Sequence, residues 1–254
     1  MEGFASLAGL LKMTNELSDF VQAPNQGLHP EVYEIENNAM DRSGALFARL
    51  EDLAPWDGKD LLDLGCGTGY WLPKYLSDSG TVIGVEPDAN LLQAARARSA
   101  HIQVHQGSAE HLPCADESLD VIHARFAYFF PSPKNDCSAG VAEALRVLRP
   151  GGSLLVIDND QQHGEFASLL QSSPWAAAQG ESNFTNAWWE DHGATRHEVM
   201  SSWKFDSVQD LASVLHIEFP TQLANEWIAR HPHATQLSYG YVIYQIRKEA
   251  TDAQ

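Results

Sequence analysis

The stretch Asp60-Leu61-Leu62-Asp63-Leu64-Gly65-Cys66-Gly67-Thr68-Gly69-Tyr70-Trp71 constrains this chain more than any other. An apolar run of strand character enters three glycines at alternate positions. It leaves into a helical pattern with Trp71, Leu72, Tyr75 and Leu76 on one face, stopping near Ser79-Gly80. Glycine is wanted where a backbone must turn through positive φ and admit a ligand to van der Waals contact. Thr81–Glu86 reads as the next strand and ends on an acidic residue. In a doubly wound sheet that carboxylate lies beside the first loop, where it can accept two hydrogen bonds from ribose hydroxyls.

Short β-branched runs continue to alternate with helical patterns. Asp88 is placed to cap a helix whose buried face carries Leu91, Leu92 and Ala95. Ile102–Val104 predicts a third strand, Leu119–Ala124 a fourth and Ser153–Asp158 a fifth. A helix carrying Val141, Ala144, Leu145 and Leu148 precedes the fifth, with Pro150-Gly151-Gly152 as its stop. Such alternation means βαβ units and a parallel sheet covered on both faces: an α/β, doubly wound fold. Residues 161–195 break the rhythm and read as an insertion above the sheet rather than a second domain. His197–Phe205 and Ser238–Arg247 alternate like half-exposed strands around a helix at Val208–Leu215, and are expected to finish the sheet as an antiparallel pair.

At 254 residues the chain suits one domain with a sizeable core. Its charge is lopsided: 16 Lys and Arg against 34 Asp and Glu, a formal net charge of −18. That argues against a broad phosphate-binding surface and against adsorption to an anionic membrane; solubility alone is the plain alternative. Cys66, Cys114 and Cys137 are an odd set with no paired framework, which suits a reducing cytoplasm. Phe4, Leu7, Leu10, Leu11 and Leu17 predict an amphipathic helix without the basic start of a signal peptide. No apolar run approaches the ~20 residues of a membrane span.

Two ligand classes suit the glycine loop. A dinucleotide fingerprint requires G-x-G-x-x-G, but Tyr70 stands where its third glycine belongs. No Walker lysine follows either, so the cradle reads as built for a nucleoside with an amino-acid tail. At this point DLLDLGCGTGYW resembles motif I of the class I S-adenosylmethionine-dependent methyltransferases. The resemblance runs on, in the family's order, through VIGVEPD, QGSAEHLP, LDVIHARF and EALRVLRPGGSLLVID, over about residues 58–160. It implies a seven-stranded Rossmann-like sheet in the order 3-2-1-4-5-7-6 and S-adenosyl-L-methionine as cofactor. It implies that Asp63 and the backbone of Gly65, Cys66 and Gly67 hold the methionine part, and that Glu86 holds the ribose. Pro87 or Asp88 then lies against the adenine, with Ser108, Ala109 and Glu110 along its edge, while His123 and Ala124 sit below the sulfonium. The family often has Asp where this chain has Ser108.

Several side chains carry more than one reading. Cys66 reads as a small filler of the loop rather than a nucleophile, and Pro113-Cys114 only imitates the nucleophile pair of cytosine methyltransferases. His123 is the one candidate base, with a purely structural role as its alternative. Phe126, Tyr128, Phe129 and Phe130 either line an acceptor pocket or pack their loop. His163 follows the fifth strand and reads as a solvated loop residue. Trp175, Trp188 and Trp189, with Glu190, Asp191 and His192, form either a cap over the acceptor or cover for the sheet edge. Tyr33 is a candidate lid residue within an N-terminal helical region, 1–57, ahead of the cofactor-binding core at 58–160 and the sheet-completing part at 196–254. No histidine spacing resembles a metal site. The expected function is methyl transfer to a small neutral or cationic acceptor at O, N or C. A silent cofactor-binding protein, or a methyltransferase acting on tRNA or protein, is the alternative, and an oxidoreductase using NAD is disfavoured.

Overall fold

The computed structural model describes residues 24–76, 79–98, 101–173 and 182–250. The predicted helix carrying Phe4 to Leu17, and Trp175, lie outside them. Three helices come first: α1 (Pro24–Leu28), α2 (Pro30–Ala39) and α3 (Ala45–Leu53). β1 (Asp60–Leu64), α4 (Leu72–Leu76), β2 (Thr81–Glu86), α5 (Ala89–Arg98), β3 (Gln103–Gln106) and β4 (Leu119–Arg125) make the first half of the sheet region. α6 (Ser138–Val147), β5 (Leu148–Asn159), α7 (Glu165–Ser172) and α8 (Ser182–Asp191) follow. The chain then runs through β6 (Thr195–Lys204), α9 (Val208–Glu218), α10 (Thr221–Arg230) and β7 (Gln236–Arg247).

The seven strands pair in the order β3-β2-β1-β4-β5-β7-β6, as the family resemblance implied. β1 to β5 are parallel, while β7 runs antiparallel to both β5 and β6. Chain direction across the sheet reverses at the β1–β4 pair, so a crevice opens at the carboxyl ends of those strands.

Side chains alternate between two apolar layers, which is why the central strands are apolar throughout. Leu61, Val121, Leu155 and Ile157 pack on α3, α4, α7 and α9. Leu62, Leu64, Ile122, Leu154 and Val156 pack on α6 and on Trp189 of α8. The register sets Asp63 opposite His123, with Gly84 on its other flank, and leaves both polar groups on the first of these faces.

Several boundaries differ from the sequence reading, the fifth strand for one beginning at Leu148 rather than Ser153. β3 begins at Gln103 and continues through His105 and Gln106, because the ladder to β2 extends beyond the apolar residues that announced it. α6 ends at Val147, ahead of Pro150, and Leu148 already pairs with Leu119. α10 is an addition that the alternating pattern did not announce; it buries Ala224 and Trp227.

Gly84 shows how tightly the loop seats on the sheet. A Cβ there would lie 2.9 Å from the Cys66 sulfur and 3.2 Å from both Leu72 and Val104. Gly84→Val is therefore expected to cost about 1–3 kcal/mol of stability through overpacking. Urea denaturation checks this, and a midpoint equal to that of the unaltered protein would contradict it.

Candidate functional site

The first turn of the loop is held by β2: the amides of Gly65 and Cys66 both donate to the Val85 carbonyl, at 2.8 and 3.1 Å. Gly65 has φ +73°, and a Cβ at this position would meet the Ala127 methyl at 2.4 Å. Glycine is thus required twice over, by conformation and by space. Gly67, at φ +57°, donates its amide to Glu86 Oε2 at 2.9 Å, and Glu86 Oε1 accepts from the Asp88 amide at 2.9 Å. Asp88 in turn caps α5, accepting the Asn90 amide at 2.8 Å, as its position predicted. Burial pushes Glu86 up to about 7, against the pull of those two amides. Each of its oxygens keeps a further lone pair for a ligand hydroxyl.

A cavity of about 630 Å³ opens over this loop. Of the residues expected to hold a cofactor, Gly65, Cys66, Gly67, Glu86, Pro87, Asp88, Ser108, Ala109, Glu110 and Tyr33 all line it. Cys66 is buried, with its thiol pushed up by burial and by Asp63 and Glu86, so it contributes backbone and volume rather than a nucleophile. Gln26 of α1 reaches over the loop, its side-chain amide 2.4 Å from where a Cβ on Gly67 would be.

Asp63, His123 and Ala124 are placed differently: all are fully buried and none lines the cavity. The imidazole of His123 packs edge-on against Trp56 and Tyr75, with centroids 5.3 and 5.2 Å away. Neither of its nitrogens has a hydrogen-bond partner, and burial together with Arg125 holds the ring down at about 3. A neutral ring sealed under tryptophan and tyrosine has no contact with a molecule in the cavity. Asp63 keeps both carboxylate oxygens unpartnered, and burial raises it while Arg125 lowers it.

The segment after β4 answers the question left open for its aromatic residues. Phe126, Ala127, Tyr128, Phe129 and Phe130 all line the cavity. Phe126 and Tyr128 adopt φ of +50° and +59°, a region that costs a bulky residue energy and persists only where its surroundings impose it. Phe129 also packs on Trp189, at 5.9 Å between centroids, so this loop serves pocket and core together. Arg125 brings a cation to the wall; its guanidinium lies 4.2 Å over the Trp71 ring, and its buried Nε has no partner.

None of the described residues in 161–195 lines the cavity. Trp189 stacks on Tyr244 at 5.1 Å and covers the sheet, and Trp188 stacks on His192 at 3.7 Å. Of the two roles weighed for this segment, these residues perform the covering one. His163 bonds Asp160 at 2.8 Å, and with Glu198 the pair offers ligand atoms within 4.8 Å of one another. Asp160 also accepts the Gln162 amide, Glu198 pairs with Arg196, and the group lies off the cavity wall.

Several further wall residues were not foreseen, among them Glu36, Asn159, Glu218 and Tyr239. Glu36 stands one helical turn from Tyr33, the candidate lid residue, on α2. The others come from strand ends and a helix end, and no local pattern marks them.

Residues 61–152 match the family model for a methyltransferase domain. Over that stretch the chain carries a methyltransferase domain, similar to S-adenosylmethionine-dependent methyltransferases. It is 35% identical over 99 residues to a probable S-adenosylmethionine-dependent methyltransferase of Mycolicibacterium smegmatis, covering 39% of this chain and 37% of that protein. A malonyl-[acyl-carrier protein] O-methyltransferase of Serratia marcescens is 34% identical over 98 residues, with coverages of 39% and 37%. The chain thus spans well under half the length of these curated relatives. In three dimensions it is similar to YcgJ of Bacillus subtilis, with a TM-score of 0.56 at 19% identity, over 80% of this chain and 98% of that one. The methyltransferase domain implies S-adenosylmethionine as cofactor, and the wall chemistry fits that molecule. A carboxylate beside the loop suits ribose hydroxyls, and Arg125 suits the carboxylate of an amino-acid tail.

Glu86 gives the domain a signature in its pH dependence. Its carboxyl is raised from 4.5 to about 7 on folding, so the stability linked to its proton is present below pH 4.5. That stability is lost as pH rises through about 7. The melting temperature of the ligand-free protein relative to Glu86→Gln is expected to fall across this window. A constant difference from pH 4.5 to 7, measured by calorimetry, would contradict it.

Proposed function

We propose that this chain transfers a methyl group to a small-molecule acceptor, with donor and acceptor side by side in the one cavity. The observation that carries this reading is the continuity of the wall. Glycine loop, Glu86 and Ser108–Glu110 line the same 630 Å³ space as Phe126, Tyr239 and Glu218. The backbone of Gly65, Cys66 and Gly67 is assigned to the methionine part of the cofactor, and Glu86 to the ribose. Pro87, Asp88 and the Ser108–Glu110 segment are assigned to the adenine. Arg125 is assigned to the carboxylate of the amino-acid tail, and Tyr33 and Gln26 to covering the bound molecule.

S-adenosylmethionine, when bound, supplies an already activated methyl group. The protein's own work is then alignment and the exclusion of water. α1 and α2 exclude water from above the loop, and the strained Phe126–Phe130 segment fixes the aromatic wall. His123 is assigned to the packed floor in its neutral form, because it touches no group in the cavity. The acidic wall and the net charge of −18 support an acceptor that is neutral or cationic rather than polyanionic, with nucleic acid disfavoured. A cytoplasmic setting accords with three free cysteines, and no helix among the described residues is long and apolar enough to cross a membrane.

Binding measurements test the reading. Calorimetry is expected to show S-adenosylhomocysteine binding and no binding of NAD. Glu86→Ala should weaken the former by about 1–3 kcal/mol, as hydroxyls lose a charged acceptor. Retention of NAD, or an unchanged affinity in Glu86→Ala, overturns the assignment.

A further inference from the structure

Two glutamates, Glu36 and Glu218, stand together on the wall of the cavity. Glu36 comes from α2 and Glu218 from the last position of α9, two helices that pack on each other. Glu36 is 4% exposed, and its buried Oε2 has no hydrogen-bond partner. Glu218 accepts a bond from Asn25 Nδ2 at 2.6 Å. Among the described residues neither carboxyl is engaged in an ion pair by Lys or Arg. Burial raises both, and for Glu36 the nearby Glu218 raises it further.

Two carboxyls within hydrogen-bonding reach of each other cannot both ionise unless a cation joins them. Without one they must share a proton, and a buried acceptor atom is left unsatisfied. Such an arrangement costs stability, and a ligand that brings positive charge and N–H donors removes the cost.

The walls around the pair suit the same ligand. Tyr33 precedes Glu36 by one turn of α2, and Phe126 and Tyr239 line the cavity with it. The Tyr239 hydroxyl donates to Asn159 Oδ1, which holds that ring in place. Aromatic rings together with carboxylates are the chemistry that recognises an ammonium group. The wider wall has the same sign: carboxylates at Glu36, Glu86, Asp88, Glu110, Asp136 and Glu218 face one cation, Arg125. An anionic molecule would meet repulsion here, and a neutral alcohol would leave the pair unneutralised.

We propose that Glu36 and Glu218, walled by Tyr33, Phe126 and Tyr239, form an ammonium-binding subsite that seats a small amine as the methyl acceptor. The word acceptor rests on the methyltransferase reading; the ammonium subsite itself does not.

The test is calorimetric. Phenethylamine, ethanolamine, putrescine and methylamine are titrated into the complete chain with S-adenosylhomocysteine present. 2-Phenylethanol and phenylacetate serve as neutral and anionic counterparts. At least one amine is expected to bind ten-fold or more tightly than its uncharged counterpart, with phenylacetate weakest. Glu36→Gln and Glu218→Gln should each weaken that amine ten-fold or more while leaving the affinity for S-adenosylhomocysteine within about two-fold. Melting temperatures confirm that both variants fold. If the pair only joins α2 to α9, glutamine preserves the packing and amine affinity does not move, which overturns the proposal. Absence of binding by all four amines, or tighter binding of the alcohol, also overturns it. If S-adenosylhomocysteine fails to bind, the methyltransferase reading falls, while the same amine titrations on the free protein still decide the subsite.

Discussion

The hydrogen bond from the Gly67 amide to Glu86 is the constraint on which the rest of the site depends. It joins the turn after β1 to the end of β2, and through Asp88 it reaches the start of α5. One carboxylate thereby fixes the directions of two loops and a helix. The glycine backbone makes this possible, because a side chain at Gly65 would strike Ala127 and one at Gly67 would strike Gln26. Loop, acid and cap form one unit, and the cavity is the space that this unit cannot fill.

Beneath it lies a second layer of polar groups treated in the opposite way. Asp63, His123 and Tyr75 are buried among Trp56, Trp71 and Phe47, and the polar atoms of Asp63 and His123 find no hydrogen-bond partners among the described residues. Glu86 meets the cavity with its hydrogen bonds made, whereas burial raises the Asp63 carboxyl and holds the His123 ring down. The register explains how both arise from adjacent strands. Residues at alternate positions share a face, so Asp63 and His123 fall under α3 and α4, while the loop that follows escapes past the sheet edge.

The sheet was legible because its signal is local. Apolar runs such as Thr81–Glu86 match the strand residue for residue, and the glycine loop announces its own turn. Boundaries slipped where pairing continued into polar residues, as at His105 and Gln106. The loop side of the cavity wall was legible for the same reason: Gly65–Gly67, Glu86–Asp88 and Ser108–Glu110 are short segments at strand ends. The opposite side was not. Glu218, Asn159 and Tyr239 meet only after the sheet has closed, and nothing in their neighbourhoods in sequence distinguishes them from surface residues. The prominent tryptophans of α8 drew attention for the opposite reason: bulk marks burial, and Trp189 spends its bulk on Tyr244.

The division of the cavity between near and distant segments has a consequence for the order in which the molecule is made. β1 to β5, with the loop, Glu86 and the aromatic segment, are complete in the chain by Asn159. Glu218 lies near the end of α9 and Tyr239 in the last strand, which pairs antiparallel with β5. During vectorial synthesis the nucleoside cradle leaves the ribosome well before the wall opposite it, and β5 keeps an unpaired edge throughout that interval. A half-built chain of this kind holds the loop part of the cavity wall and lacks Glu218 and Tyr239. Its full reach is set only when the C-terminal strand docks.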